Sequence, residues 1–465
     1  METDFHRRYA SPEMLKIWSA ENKFKREREL WIAVMRAQAK VGLEIPEKAI
    51  KDYEAKINHI DLSSISEREK SLKHDVKARI EEFNHLAGHQ YIHLGLTSRD
   101  VTENVELMLI KESLELTRFK SISFLAALGK RIREHRETPM VARTHNVPAQ
   151  VTTLGKKFSV WAEEQIFALK HLDNLVERLE FRGIKGAVGT ATDMSLLLGE
   201  ALSSFEKEFM HFFGDDKVMN SSSQVYPRSI DFEVVATLVQ LAAAANNLAL
   251  NVRLLAGLGH VHEAFSKSQV GSSAMPHKMN PRLSERINSL FSVLRGYLAM
   301  VENLVGNQWN EGDVSCSATR RAAISGSFLV LDGIIDTAID VIDGLAVSTT
   351  SITKELNEEM PLIASSAYLM LMVEKGASRE VAHKQLAEAL RIYREGGNNR
   401  REDLIRALIF ASDSLLREKE LLEILSNPIS LSGLAVSQCD AVISEIDAWA
   451  TKESGAAEYQ PRQSI

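Results

Sequence analysis

The sequence contains little glycine, proline or cysteine. Glycine (24 residues) and proline (10 residues) together make up about 7% of the 465 residues, against roughly 12% in an average protein. Because these residues mark turns, their scarcity favours long helices over an all-β or low-complexity fold. The two cysteines, Cys316 and Cys439, exclude a disulfide framework and a cysteine-rich zinc site.

An excess of positive charge is also missing. Lysine and arginine number 56 against 63 aspartates and glutamates, which gives a net charge of −7. A protein that binds nucleic acid through its overall field is basic, so we expect no nucleic-acid partner. The first 14 residues are polar and contain no apolar targeting segment, so we expect a cytoplasmic protein.

One uncharged stretch of 19 residues, 234–252, is long enough to raise the question of a membrane span. It contains Thr237, Gln240, Asn246 and Asn247. These polar residues favour a helix that is buried by other helices, so we expect no membrane partner.

Three long segments, 158–179, 238–255 and 287–304, have apolar residues at alternating spacings of three and four. Helices this long must bury their apolar seams against one another, which predicts an all-α protein built around a long-helix bundle. The middle segment is apolar around nearly its whole circumference. We therefore expect the bundle to continue across the subunits of an oligomer.

Shorter helices are predicted on both sides of this bundle, over 12–97 and 349–465, the latter broken at Gly396-Gly397 and Asn427-Pro428. The tail from Lys452 is polar, and we expect it to be loosely ordered. The sequence contains no run of alternating β-branched residues long enough to predict a sheet.

Three histidines, His85, His89 and His93, are spaced four apart and would share one face of a helix. Gly88 and Gly95 interrupt that helix, and no carboxylate cluster accompanies the histidines. Surface or core histidines are therefore favoured over a metal site.

Four polar segments interrupt the helical pattern: 73–76, 93–100, 143–156 and 271–281. The last of these, GSSAMPHKMNP, lies between two of the long helices and carries two hydroxyls, a lysine and an asparagine beside a glycine and two prolines. This composition favours a lid that closes over an anionic ligand over a purely structural loop.

This loop resembles the signature GSSxMPxKxNP of the fumarase/aspartase superfamily, and within it the chain resembles the adenylosuccinate lyase family. The resemblance continues through 8–14 (RYASPEM), 74–76 (HDV), 97–98 (TS), 144–145 (TH), 182–190 (RGIKGAVGT), 224–226 (QVY), 309–311 (WNE) and 317–321 (SATRR).

The resemblance implies an all-α, three-domain fumarase/aspartase-like fold. Its parts would be an N-terminal helical domain (1–97), a central long-helix bundle that contains the loop 271–281 (98–347) and a C-terminal helical domain (348–465). It also implies a homotetramer whose core contains helices from four subunits, with each active site shared between three of them. No metal or other cofactor is expected.

The implied reaction is β-elimination of fumarate from adenylosuccinate, giving AMP, and from the related purine intermediate SAICAR, giving AICAR. By resemblance, Ser272 is the general base, helped by the charge of Lys278, and His145 is the general acid, oriented by Glu285. His74 matches a second histidine near the substrate. A hydroxyl needs a cationic, dry environment to act as a base, whereas an imidazole can hold and release a proton near pH 7.

The resemblance also assigns residues to substrate binding. The expected contacts are Arg8, Tyr9, Ser317 and Arg321 to the nucleotide and its phosphate; Thr97, Ser98, Lys278 and Asn280 to the succinyl carboxylates; and Gln224, Arg286, Lys73 and Asp75 to the rest of the substrate. Gly312 stands where the family usually has arginine, so Arg320 or Arg99 would have to supply the missing charge.

Two alternatives remain open at this point. One is another fumarate-releasing lyase of the superfamily, such as argininosuccinate lyase, or a cycloisomerase. It is disfavoured because Arg8-Tyr9 and Ser317-x-x-x-Arg321 match nucleotide-phosphate positions. The other is a helical scaffold that has lost activity, and the intact Ser272, Lys278 and His145 argue against it.

Overall fold

The computed structural model describes residues 4–214, 217–263, 275, 278–395 and 400–461, and helices dominate these ranges. In chain order the helices are α1 (Asp4–Tyr9), α2 (Pro12–Ile17), α3 (Ala20–Lys40), α4 (Glu47–Ala55), α5 (Leu62–Leu72), α6 (Asp75–Ala87), α7 (Ser98–His135), α8 (Leu154–Arg178), α9 (Thr192–Leu198), α10 (Leu202–Met210), α11 (Ser229–Gly257), α12 (Arg282–Glu302), α13 (Ser317–Gly344), α14 (Thr349–Ile363), α15 (Ser365–Glu374), α16 (Arg379–Glu395), α17 (Arg401–Ala411), α18 (Glu418–Ser426) and α19 (Ala435–Lys452). Short 3₁₀ turns lie at Gly199–Ala201, His211–Phe213, Pro428–Leu431 and Ala456–Glu458.

The centre of the protein is a bundle of five long helices. Helix α7 packs against α8 and α13, and α11 packs against α8, α12 and α13. The three helices predicted from their apolar seams are confirmed as α8, α11 and α12. The sequence did not reveal α7 or α13, because both bury side chains around most of their circumference and so lack a single apolar stripe.

Within the described ranges, two helices, α11 and α13, are long and apolar enough to cross a membrane by length and composition alone. Inside the protein, 89% of the most apolar window of α13 and 56% of that of α11 are buried. This burial is typical of core helices, which pass the same test. The lower fraction on α11 leaves part of its apolar surface uncovered within one chain.

Two small antiparallel sheets accompany the helices. Strands β1 (Pro139–Thr144) and β2 (Val147–Thr153) form a hairpin, and β3 (Val261–His262) pairs with β4 (Ala346–Val347). The sequence did not predict the hairpin, because a register shift between Ala142 and Arg143 breaks the alternation that marks a strand.

The hairpin turn consists of two residues, His145 and Asn146, with φ angles of 54° and 62°. Positive φ at both central residues is the geometry that matches the twist of a tight two-residue hairpin. The base of the hairpin is anchored where Gly155, at the start of α8, meets the end of α7. A Cβ on Gly155 would lie 2.6 Å from the Cα of Arg136, so only glycine permits this approach.

The C-terminal helices separate into two sets. Helices α14 to α18 form a second apolar cluster together with Val141 and Val151 of the hairpin, whereas α19 returns to α7 and α8 of the bundle. The expected break at Gly396-Gly397 lies outside the described residues. The division into three domains stays a prediction.

The expectation of a loosely ordered tail is wrong as far as residue 461. Ala456 is buried, and the Tyr459 ring packs edge-on against Phe119 of α7. Glu453 pairs with Arg118 of the same helix. The tail is polar in composition, but its few apolar side chains find a surface on α7.

A buried charge cluster joins α7 to α13 beneath this tail. Lys120 Nζ lies 2.6 Å from Asp332 Oδ1 and 2.9 Å from Asp336 Oδ2, and Tyr459 donates its hydroxyl hydrogen to Asp336 Oδ1 at 3.0 Å. Burial, together with the charge of Asp332, raises the pKa of Asp336 to about 6, although Lys120 and Tyr459 act in the opposite direction.

This shift predicts a pH-dependent contribution to stability. Between its ordinary pKa of 3.8 and about 6, the Asp336 carboxyl holds a proton in the native state that the unfolded chain has released. The native state then binds more protons, so the contribution of Asp336 to the free energy of unfolding falls as the pH rises through this window.

Comparison of the wild type with Asp336→Asn tests this prediction. The Tm of the wild type minus the Tm of Asp336→Asn should have its highest value below pH 4 and should fall as the pH rises towards 6. Asp343→Asn, which changes an exposed carboxylate on the same helix, should show no such trend. Parallel Tm curves for the wild type and Asp336→Asn between pH 4 and 7 would contradict the assignment.

Candidate active site

The structure places the predicted site residues at three locations. Eight lie near the start of α7 and are called the α7 group: Lys73, His74, Asp75, Thr97, Ser98, Gln224, Ser317 and Arg321. Six lie around the start of α12 and are called the α12 group: Arg8, Tyr9, Lys278, Asn280, Glu285 and Arg286. His145 lies at the tip of the hairpin, and Ser272 is outside the described residues.

The first part of the α7 group is the junction between α5 and α6. Lys73 ends α5 in the left-handed conformation (φ 55°), and His74 caps α6 by accepting a hydrogen bond from the Lys77 N–H at its Nδ1 (3.2 Å). Asp75 Oδ2 lies 3.4 Å from the Arg321 guanidinium on α13. Burial acts to raise the pKa of Asp75, but Arg79 and Arg321 outweigh it and lower the pKa, so this carboxylate is ionised.

The second part is the start of α7 itself. The Thr97 N–H donates to Asp100 Oδ2 at 2.8 Å, a capping contact that fixes the first turn. The other oxygen of this fully buried carboxylate accepts from Arg182 at 2.5 Å and from the backbone N–H groups of Lys185 and Gly186, each at 2.9 Å. One carboxylate therefore ties the glycine-rich segment 182–190 to Thr97 and Ser98.

Gln224, another member of the α7 group, lies against the segment 309–313. The Gln224 N–H donates to the Glu311 carbonyl at 2.8 Å. Gly312 has φ 147°, and a Cβ there would lie 3.1 Å from the Gln224 Cβ, so the backbone at this position favours glycine. Arg99 reaches the Asp313 carbonyl at 3.4 Å and Glu103 at 3.0 Å.

Arg320 cannot supply the charge that Gly312 lacks. It is only 4% exposed, and its guanidinium lies 2.7 Å from both Glu106 and Asp231 and also bonds the Tyr226 hydroxyl. The expectation that Arg320 compensates is therefore wrong, because this side chain is committed to the core. Arg99 is the one of the two candidate cations that lies beside Gly312.

Two of the three evenly spaced histidines have partners that account for them. His89 Nε2 lies 2.8 Å from Asp52, and Trp31 donates its indole N–H to His93 Nδ1 at 3.1 Å. Burial lowers the pKa of His93 to about 4, although Asp100 acts to raise it, so this ring is neutral at pH 7 with its proton on Nε2. Among the described residues, no group of three or more histidine, cysteine, aspartate or glutamate side chains is arranged to hold a metal ion.

His145 is exposed at the hairpin turn, and charged side chains surround the strands that lead to it. Arg143, two residues earlier, pairs with Glu355 of α14, and His260 Nε2 lies 3.3 Å from the same carboxylate. These contacts attach the hairpin to α14 and leave the His145 imidazole exposed at the tip.

The start of α12 is capped by a buried carboxylate. Glu263 accepts hydrogen bonds from the N–H groups of Leu283 and Ser284 at 3.0 and 2.8 Å and from the Ser284 hydroxyl at 2.6 Å. A negative charge is favourable at a helix N-terminus, where backbone N–H groups lack partners. Lys278 and Glu285 are exposed on either side of this cap.

Helix α1 brings Arg8 and Tyr9 to the same region. The Arg286 guanidinium lies over the Tyr9 ring, 5.6 Å from its centre. Burial lowers the pKa of Arg286, and the nearby charge of Arg8 acts in the same direction. Two guanidinium groups and a tyrosine thus form one cationic surface beside α12.

Within one chain, the α7 group is far from the other two locations. Tyr9 packs against Gly333 of α13, whereas Arg321 lies twelve residues earlier on that helix, about 18 Å away at about 1.5 Å per residue. The hairpin follows the end of α7, whose 38 residues span about 57 Å from Ser98. One chain therefore does not bring His145 near the α7 group, nor Arg8 near Arg321.

Two neighbouring arginines test the division between core and site. Arg320→Met should lower the free energy of unfolding by about 3–5 kcal/mol, because it removes a buried cation that pairs with three carboxylates, two of them fully buried. Arg321→Met should leave Tm unchanged, because the Arg321 side chain is 67% exposed. Denaturant unfolding of the two variants measures the difference, and equal losses would refute the division.

Comparisons with known proteins place the chain in a family. A family model described as lyase matches residues 6–296. The adenylosuccinate lyase of Saccharomyces cerevisiae is 33% identical over 433 residues, which cover 89% of this chain and 90% of that protein. The adenylosuccinate lyase of Aquifex aeolicus is 36% identical over 385 residues, with coverages of 81% and 85%.

Solved structures support the fold. The 3-carboxy-cis,cis-muconate lactonizing enzyme of Pseudomonas putida superposes with a TM-score of 0.84 at 20% identity, covering 97% of this chain and all of that one. A fumarate lyase from Mesorhizobium sp. BNC1 superposes with a TM-score of 0.80 at 23% identity, with coverages of 94% and 98%. The predicted all-α fumarase/aspartase-like fold is confirmed. The family match and the identity along most of both chains show that this protein belongs to the adenylosuccinate lyase family, as its motifs indicate.

Proposed function

We propose that this chain cleaves adenylosuccinate to AMP and fumarate, and SAICAR to AICAR and fumarate, in sites shared between the subunits of a homotetramer. The observation that carries the proposal is the separation of the α7 group from the other two locations. Each location holds residues that the reaction needs, yet about 18 to 57 Å of helix separates the α7 group from the other two in one chain. A neighbouring subunit is required to complete each site. The proposed location is the cytoplasm.

The reaction sets demands that these residues meet in principle. A base removes a proton from the carbon beside a carboxylate, the electron pair forms the C=C bond of fumarate, and the C–N bond breaks as an acid protonates the leaving nitrogen. We assign the base to Ser272, supported by the charge of Lys278, and the acid to His145, oriented by Glu285 of another subunit. His74 would lie beside the substrate.

Substrate binding is proposed to use both cationic surfaces. Arg321, held by Asp75 and accompanied by Ser317 one turn earlier, suits a phosphate because a guanidinium bonds it in a bidentate manner. Arg8 and Tyr9 of another subunit would complete this nucleotide site. The succinyl carboxylates would be bound by a separate set: Thr97, Ser98, Lys278 and Asn280. The remaining assigned contacts are Gln224, Arg286 and Lys73.

Exposed apolar side chains on the bundle support the tetramer. Leu250 and Leu254 of α11 are 42% and 57% exposed, and Val160 and Phe167 of α8 are 51% and 68% exposed. Aliphatic and aromatic side chains exposed along long core helices are typical of a surface that another subunit covers. Burial of these faces would extend the bundle across subunits and bring α7, α12 and hairpin ends of different chains together.

A direct assay tests the substrate. When adenylosuccinate is added to the purified protein, the ultraviolet absorbance of the mixture should change as the substrate is converted to AMP and fumarate. Argininosuccinate serves as the matched control and should not be consumed. Turnover of argininosuccinate with no change on adenylosuccinate would replace the proposal with the other fumarate-releasing activity.

Subunit mixing tests the shared site. Ser272→Ala and His145→Ala should each abolish turnover, whereas Ser437→Ala, an exposed hydroxyl on α19, should not. Hybrids refolded from equal amounts of the two inactive variants should recover about a quarter of wild-type activity, because base and acid come from different subunits. Hybrid tetramers without any recovered activity would show that both groups act from one chain.

A further inference from the structure

The buried cluster of Lys120, Asp332 and Asp336 has no part in the chemistry described above. All three side chains are at most 8% exposed, and the lysine bridges two carboxylates that lie one turn apart on α13. Removing a lysine and two carboxyl groups from water is costly, and replacing such groups by apolar residues is often neutral or stabilising. Net stability therefore does not account for this cluster, and its other contacts are the better guide to its role.

The remaining oxygen of Asp332 holds the backbone of the N-terminal segment. Asp332 Oδ2 accepts a hydrogen bond from the Ser11 N–H at 2.6 Å, and both groups are buried. Ser11 in turn caps α2, because its hydroxyl oxygen accepts from the Met14 N–H at 3.3 Å. A charge-assisted bond to a buried carboxylate is among the stronger contacts available to a backbone N–H.

The adjacent residue on α13 controls how closely α1 approaches. A Cβ on Gly333 would lie 2.8 Å from the Tyr9 carbonyl oxygen and 3.0 Å from the Tyr9 Cβ. Asp332 thus binds the N-terminal segment to α13 at Ser11, and the missing side chain of Gly333 allows Tyr9 to pack closely against the same helix. Both contacts act within three residues of Arg8.

Helix α1 depends on such anchors. It has six residues, too few to be stable by its own hydrogen bonds, because helix nucleation is unfavourable in short segments. The position of Arg8 and Tyr9 is therefore set by what the following residues bind. We propose that Asp332, oriented by Lys120, is a positioning residue that holds Arg8 and Tyr9 in place for the substrate phosphate.

This inference rests on the proposed function and is tested through the phosphate. Asp332→Asn should raise KM for adenylosuccinate by on the order of tenfold, with kcat within about threefold, because the reacting groups lie elsewhere. KM for the same substrate without its 5′-phosphate should stay within about twofold of wild type. Asp343→Asn, an exposed carboxylate on the same helix, should change neither value.

A double-mutant cycle separates positioning from general destabilisation. If Asp332 acts through Arg8, then Asp332→Asn should add little to the KM of Arg8→Ala, because the interaction is already lost. Additive effects, or equal losses on the substrates with and without phosphate, would overturn the inference. If Asp332→Asn does not fold, Gly333→Ala takes its place with the same expected result, since its Cβ displaces Tyr9 without changing charge.

A measurement independent of turnover distinguishes failure of this inference from failure of the proposed function. Hydrogen exchange of the amides of residues 5–10 should be faster in Asp332→Asn than in the wild type and in Asp343→Asn. Unchanged exchange would overturn the positioning role. Faster exchange in a protein that does not consume adenylosuccinate would retain the positioning role and reject the substrate.

Discussion

The length of helix α7 is the constraint on which the arrangement of the site depends. Its 38 residues span about 57 Å from the start of the bundle to the hairpin, and most of them are buried. A helix packed on several sides cannot bend to bring its ends together. The residues that follow or precede it therefore keep their separation, and the proposed chemistry, which uses residues from both ends, would need another copy of the chain.

Buried carboxylates attach the site segments to this helix. Asp100 binds the backbone around Thr97 and the segment 182–190, whereas Glu103 receives the guanidinium of Arg228 at the next turn. At Lys120 the charges are reversed, because the cation lies on α7 and pairs with the Asp332 carboxylate of α13. Charged groups inside a bundle contribute less to net stability than to a defined geometry when every partner is present. The bundle thus fixes loops that have little apolar surface of their own.

The sequence predicted the fold class and three of the long helices, whereas its assignment of site residues stays a prediction. Apolar seams identified α8, α11 and α12, but α7 and α13 are buried around most of their circumference and show no stripe to detect. Motifs predict Arg8, His145 and Arg321 as site residues, yet linear order carries no information on which chain would supply which residue. Arg320 and Arg321 are adjacent in sequence and opposite in environment, a difference that only packing decides.

The hairpin turn imposes a conflict between backbone and side chain. His145 and Asn146 both adopt positive φ, a conformation that costs an ordinary residue on the order of 1–2 kcal/mol and glycine almost nothing. Glycine would suit the turn better but has no imidazole. The protein thus keeps a conformationally unfavourable residue where a proton donor is proposed. If His145 is the proton donor as proposed, stability and activity favour different residues at this position, and substitutions chosen for thermostability alone would remove the acid.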